Sequence, residues 1–379
     1  MRLTVCLLTR NEEQKLPRAI QSVKPIADQI IVAETGSTDR TAAVAAEHGA
    51  EVYPLRWDDD FGAGCNFALA HARGDWILWI NPDEEVMPIS LFEMDACLAR
   101  DDVFAYSVSV RDLPHADRLD EYTETTLLRL FRRDPRVRFL GRTSPRFQPP
   151  LEDIAKQTER RIEQAPLLVR RHGYLSPLTP DKLRWVARLL ELELRDRPGQ
   201  LSYLIDYGQT LLRLNDARGH DALAAAAEFI IPLRNAPRPP WLDVQRLLDY
   251  LMTVAPEQSR SRLTAEDARG LALRWFPKSP VMLWRNAEYY FQINQFKAAA
   301  LLLERLVEMA RTGNYDRSQA FAPSILGEPT RMNLGVCYLR LGQLDQAERC
   351  FRALVDSPEF REKTHQNLAL LQKLRDNRR

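Results

Sequence analysis

Residues 74–84, GDWILWINPDE, constrain this chain more than any other stretch. Trp76, Ile77, Leu78, Trp79 and Ile80 are consecutive apolar residues, which read as a strand covered on both faces, as in a parallel α/β sheet. Acids follow at once. Asp83, Glu84 and Glu85 are thereby placed at the sheet's carboxyl edge, where open α/β folds bind ligands and where a divalent cation and a phosphorylated ligand could meet. The blander alternative is a solvated acidic turn before Pro88.

The residues upstream bear on that choice. Residues 3–8 form a first strand, and Arg10, Asn11, Glu12 and Glu13 follow at its ligand edge. A helix over 13–23 leads to a second buried strand, 29–33, that ends in ETGSTDRT. In that loop Gly36 permits a backbone conformation other residues resist, and Ser37, Thr38 and Asp39 are good caps for the alanine-rich helix that runs to His48. A short strand at 51–53, the acids Asp58, Asp59 and Asp60, and a helix over 61–72 complete the pattern. Strand and helix thus alternate up to residue 81, the signature of a doubly wound, mostly parallel sheet. A Rossmann dehydrogenase is a poor match, because no GxGxxG follows the first strand.

A chain of 379 residues exceeds one ordinary core. The expected division is an α/β domain over 1–175 and an all-α domain over 176–379, joined near LSPLTP, whose prolines discourage a continuous helix. Lysine plus arginine (53) nearly balance aspartate plus glutamate (52), so global charge points to neither nucleic acid nor membrane. The five cysteines are widely spaced with no CxxC, which suits a reducing compartment and argues against a zinc site. No stretch reaches the roughly 20 apolar residues of a membrane span. The apolar run at the N-terminus is also too short for a signal peptide, so the expected location is cytoplasmic.

Beyond Pro177 the period becomes helical. Leu183, Val186, Ala187, Leu190 and Leu194 make a helical stripe. Leu334, Gly335, Tyr338, Gly342, Ala347 and Phe351 match the tetratricopeptide (TPR) pattern of close-packed helix pairs. Ala287, Tyr290, Ala299 and Leu303 repeat it one unit earlier, and Gly208, Leu211 and Phe229 form a weaker third copy. A loop over 312–327 interrupts the spacing. Such stacks present a surface for a peptide or partner protein, or serve only to cover a neighbouring domain.

Five motifs in order, TRNEE, ETGSTDRT, HGAEVY, RWDDDFGAGCN and GDWILWINPDEE, resemble the nucleotide-sugar-binding half of family 2 glycosyltransferases of the GT-A fold. Within that family the resemblance is to the soluble bacterial type that carries TPR helices after this domain; LRLFRRDPRVRFLGR and RRHGY resemble its later motifs. The resemblance implies a GT-A α/β domain followed by a TPR-like domain, a nucleotide-sugar donor, a uridine one, and a manganese or magnesium ion. It implies donor contacts at Asn11, Glu12, Glu34, Gly36, Ser37, Asp39, Asp60, Asn66 and Asn81, and metal contacts at Asp83 and His172. It also implies transfer to an acceptor that the sequence does not identify, with a carboxylate as the usual base in inverting members; the helical surface offers a peptide or protein as one candidate acceptor. Asp120, Glu121 and Glu124 follow a fifth strand expected over 104–110, Glu152 and Asp153 come later, and none stands out.

Some positions depart from the family pattern. Glu34 stands where an aspartate is usual, Cys65 where an arginine is usual, and Asn81 where the metal motif begins with aspartate. Thr143, Ser144 and Pro145 replace a segment that ends in histidine and glutamate. Two functions follow: a metal-dependent glycosyltransferase, or a degenerate, non-catalytic relative acting as a TPR interaction scaffold.

Overall fold

The computed structural model describes residues 2–114, 119, 121–172, 178–237 and 243–376. Strands and helices alternate at first: β1 (Leu3–Thr9), α1 (Leu16–Val23), β2 (Gln29–Glu34), α2 (Thr41–Glu47), β3 (Glu51–Pro54), α3 (Phe61–His71) and β4 (Trp76–Trp79). Then come β5 (Glu84–Val86), α4 (Leu91–Leu98), β6 (Val103–Leu113), β7 (Thr123–Arg132), β8 (Phe139–Leu140), β9 (Arg146–Phe147), α5 (Leu151–Gln157) and β10 (Arg161–His172). An eight-stranded sheet runs β3-β2-β1-β4-β7-β6-β10-β5. Parallel pairing joins β3, β2, β1 and β4, and also β6 and β10; β7 runs antiparallel to both of its neighbours, and β5 to β10. All five residues from Trp76 to Ile80 are buried, as a strand covered on both faces requires.

Two features differ from the sequence expectation. The strand expected at 104–110 is the sixth, β6, and is longer at both ends. Ahead of it lies β5, whose Glu84-Glu85 pair reads as a polar turn; arginine pairing, rather than apolar contact, lets Glu84 enter a strand at 1% exposure.

The packing boundary also lies further along than the change of pattern near residue 175. The chain divides into compact units Met1–Gly219 and His220–Arg379, so that α6 (Pro180–Asp196) and α7 (Leu201–Arg213) belong with the sheet. Polar contacts explain why. The Tyr203 hydroxyl donates to the Leu140 carbonyl at 2.9 Å, and fully buried Glu193 accepts the Arg142 amide at 2.8 Å. Arg142 and Arg146 reach Asp196 and Asp206 at 2.9 and 3.1 Å. Gly141 sits among these contacts at φ +122°, and a Cβ there would meet the Tyr203 hydroxyl at 1.9 Å. Gly141→Ala should therefore cost about 2 kcal/mol, from backbone strain and displacement of Tyr203. Urea denaturation of the full chain measures it, and an unchanged midpoint would refute this docking.

The remaining helices are α8 (Arg218–Ile230), which starts at the boundary, α9 (Val244–Thr253), α10 (Ala265–Trp275), α11 (Pro280–Gln292), α12 (Phe296–Thr312), α13 (Glu328–Arg340), α14 (Leu344–Arg352) and α15 (Arg361–Asp376). Within the second unit α11 packs on α12, α12 on α13 and α13 on α14, as consecutive helix pairs do. The small residue of the repeat is needed: a Cβ on Gly335 would lie 2.6 Å from the Phe351 ring. Ala287, Ala299 and Leu303 are buried one pair earlier, with Tyr290 packed against the same cluster. Phe229, assigned to the third copy, is 40% exposed and fills no such gap. Among the described residues, no helix is long and apolar enough to cross a membrane.

Candidate functional site

The loops that follow β1 and β2 lie side by side because those strands are parallel neighbours, with Thr9 opposite Glu34. Reciprocal hydrogen bonds join them. The Asn11 amide donates to the Ser37 hydroxyl at 2.9 Å, and the Asn11 side-chain carbonyl accepts the Thr38 amide at 2.8 Å. Glu12 and Glu13 amides donate to Thr41 and Asp39 at 2.8 and 3.3 Å, and Glu13 accepts the Arg40 amide at 2.8 Å. Asn11 holds φ +54° and Gly36 φ +86°, which bends both loops tightly. Asp39 does not cap α2 as a residue adjoining the helix; it accepts the Thr41 amide at 2.9 Å in an Asx turn. The Thr41 hydroxyl holds its carboxyl below the usual range. Glu34, 9% exposed, accepts the Ser37 amide at 2.5 Å. The structure thus brings Asn11, Glu12, Glu34, Gly36, Ser37 and Asp39 together.

The second group stands at the end of β4, next to β1 in the sheet. Asn81 turns inward, its backbone and side-chain amides donating to Glu84 at 2.8 and 3.1 Å. Glu84 is no cation ligand: Arg129 and Arg171 each hold it at 3.0 Å. Burial alone would raise the Glu84 carboxyl, but the two guanidinium groups and the Asn81 amide overcome this and hold it below the ordinary range. Arg171 also reaches Asp112 at 3.3 Å. Burial nevertheless pushes Asp112 up to about 6, with the charges of Glu84 and Asp83 adding to the rise. Asp83 differs from both. It is half-buried, its side chain has no ion-pair partner among the described residues, and burial together with Glu84 raises its carboxyl. A group so placed gains from a nearby cation.

Arg129, Arg171 and Asp112 were missed from sequence, although a signal existed. Arginine inside Leu127-Leu128-Arg129-Leu130-Phe131, on a buried strand, has to find a counter-charge.

His172 lies beside Asp83, donating its backbone amide to the Asp83 carbonyl at 3.0 Å. Its Nε2 is 2.9 Å from Glu85, and its Nδ1 is buried without a hydrogen-bond partner. The described residues include no group of three His, Cys, Asp or Glu side chains able to hold a metal. Asp83 and His172 are two ligating side chains, a set that fits an ion whose other positions are filled by phosphate oxygens and water.

Asp60 caps α3, accepting the Ala63 amide at 2.9 Å. Asn66, expected at the donor, is committed elsewhere: its amide donates to the Phe139 carbonyl and accepts the Phe139 amide, both at 2.8 Å, as a strand neighbour would. Cys65 is 2% exposed within an apolar cluster that includes Cys6, Ala68 and Trp79. Of the acids considered as a base, Glu124 is paired with Arg111 at 3.0 Å, Glu152 and Asp153 open α5, and Asp120 lies outside the described residues.

Residues 4–142 match the model of glycosyl transferase family 2. A TPR repeat-containing protein of Synechococcus elongatus is 39% identical over 137 residues, 36% of this chain and 33% of that protein. An uncharacterized glycosyltransferase of Rickettsia bellii is 40% identical over 85 residues, 22% of this chain and 29% of that one. The matches thus span a third or less of these relatives' own length. The solved mannosyl-3-phosphoglycerate synthase of Rubrobacter xylanophilus aligns at 21% identity over 53% of this chain and 77% of its own, with a TM-score of 0.36. Residues 4–142 thus carry the match to glycosyl transferase family 2, in a chain whose α/β sheet is followed by consecutively packed helix pairs.

Proposed function

We propose that the chain is a metal-dependent glycosyltransferase that takes a sugar from a nucleotide sugar, a uridine one, and moves it to an acceptor on a peptide or protein. The observation that carries this reading is Asp83, a half-buried carboxylate without a side-chain partner among the described residues, at the end of β4 in a family 2 domain. The hydrogen-bonded loops of Asn11 and Ser37 offer the nucleotide a preformed ledge, with Glu34 and Asp39 as acceptors for ribose or base donors. Asp83, with His172 beside it, would hold a manganese or magnesium ion, which when bound neutralises charge on the diphosphate leaving group. Glu84, accepting both Asn81 amides, keeps the turn in place. The helical pairs of the second unit are the proposed surface for a peptide or protein acceptor.

A second reading, a non-catalytic scaffold, is favoured by Asn66, whose amide is already spent on Phe139. Calorimetric titration of uridine diphosphate, with and without manganese, separates the two. Asp83→Asn should abolish manganese-dependent binding. It should also leave the protein equally or slightly more stable at neutral pH: an acid whose folded pKa is raised costs stability as pH rises from its unfolded to its folded value, a loss that is complete above the folded value, and the amide removes it. Equal affinity in wild type, variant and chelator-treated protein would sink the metal role; no binding in any of them would favour the scaffold.

A further inference from the structure

Four residues standing directly opposite one another on neighbouring strands form a polar row across one end of the sheet. Glu84 of β5 faces Arg171 of β10, Arg171 faces Asp112 of β6, and Asp112 faces Thr123 of β7. Directly opposed residues put their side chains on one face. Asp112 and Arg171 are next to last in β6 and β10, while Glu84 and Thr123 open β5 and β7, so the row lies at the carboxyl edge and begins one residue after Asp83.

Only one end of this row is satisfied. Glu84 accepts hydrogen bonds from Arg129, Arg171 and Asn81. The Asp112 side chain, 4% exposed, has Arg171 Nη1 3.3 Å from Oδ1, but the two are not aligned for a hydrogen bond, and Oδ1 is enclosed without a hydrogen-bond partner. The Thr123 hydroxyl across the ladder is enclosed and unpartnered as well. Two such oxygens side by side cost the fold unless a ligand meets them. A hydroxyl group suits both, donating to the carboxylate and accepting from the threonine.

Nearby acids are already committed. Asp39 accepts the Thr41 amide, Asp60 caps α3, Glu85 holds His172 and Glu124 pairs with Arg111. Residues 143–145, where the family pattern ends in histidine and glutamate, are Thr143, Ser144 and Pro145 and supply no acid. A carboxyl raised by burial to about 6 is ionised at neutral pH and still basic enough to take a proton.

We propose that Asp112 is the catalytic base of the transfer, with Thr123 beside it seating the acceptor hydroxyl. The inference deepens the glycosyltransferase reading and rests on it. The acceptor oxygen bonds to the anomeric carbon as the bond from that carbon to the diphosphate breaks; the electron pair leaves with the diphosphate, and the acceptor's proton passes to the Asp112 carboxylate.

The test uses the full chain with manganese, water as the acceptor, and uridine diphosphate glucose, galactose and N-acetylglucosamine as donors. Asp112→Asn should lower kcat for donor hydrolysis about a hundredfold or more, with uridine diphosphate affinity unchanged. Thr123→Val should give a smaller fall. Sodium formate should restore hydrolysis to Asp112→Ala, a rescue that a purely structural role would not show. Unchanged hydrolysis in Asp112→Asn at unchanged affinity would overturn the base alone, as would a natural chain that binds uridine diphosphate yet hydrolyses none of the donors. A natural chain that does not bind uridine diphosphate would overturn the transferase reading and the base with it. If Asp112→Asn does not fold, Thr123→Val decides, and hydrolysis equal to that of the natural chain would overturn the proposal.

Discussion

Glu84→Gln should lower the stability of the protein by about 3–5 kcal/mol, the usual cost of removing one partner from a buried charge cluster. The reason is geometric. Arg129 and Arg171, 13% and 8% exposed, both end on one Glu84 oxygen at 3.0 Å, so the neutral amide would take from two buried guanidinium groups the charge they share. The same carboxylate accepts both amides of Asn81 on its two oxygens, so glutamine, with one acceptor oxygen, also weakens the turn that carries Asp83. Restoring the family's aspartate with Asn81→Asp should likewise destabilise, because a second carboxylate would replace a donor 3.1 Å from Glu84. Urea denaturation of the full chain tests both; a Glu84→Gln cost below about 1 kcal/mol would show that the cluster is hydrated.

Cys65→Arg is the other large effect expected, and its direction bears on function. An arginine at this position in the family could face the diphosphate, yet the Cys65 side chain lies among Cys6, Ile31, Ala68 and Trp79. Burial pushes its thiol well above the usual range, and the charge of Arg129 is close enough to act on it. A longer, charged side chain would overfill that pocket and place a second guanidinium near Arg129. A loss of about 3 kcal/mol with no gain in uridine diphosphate affinity is expected. Tighter nucleotide binding at an unchanged melting temperature would show instead that the arginine escapes towards the ligand edge.

Much of this architecture could be read from residues. The apolar run Trp76–Ile80 and the alternation before it imply a parallel sheet because period and length are local properties. The sheet order sets the loops of Asn11, Ser37 and Asp83 at the ends of neighbouring strands. The rest depended on partners distant in sequence. Glu84 looks like any solvated acid until Arg129 and Arg171 arrive from β7 and β10, and Asn66 looks available until Phe139 is placed beside α3. The boundary misled for a related reason: composition changes near residue 175, whereas Glu193 and Tyr203 bond to the backbone around Gly141, which no local pattern records.

The docking of α6 and α7 bears on how such proteins can be recombined. A fragment ending at the change of pattern would strip the Arg142 amide and the Leu140 carbonyl of their partners and leave Arg142 and Arg146 without Asp196 and Asp206. The inheritable module is therefore the sheet together with its first two helices. A graft onto another array, in the laboratory or through gene fusion, is compatible with this packing only when its seam falls after α7.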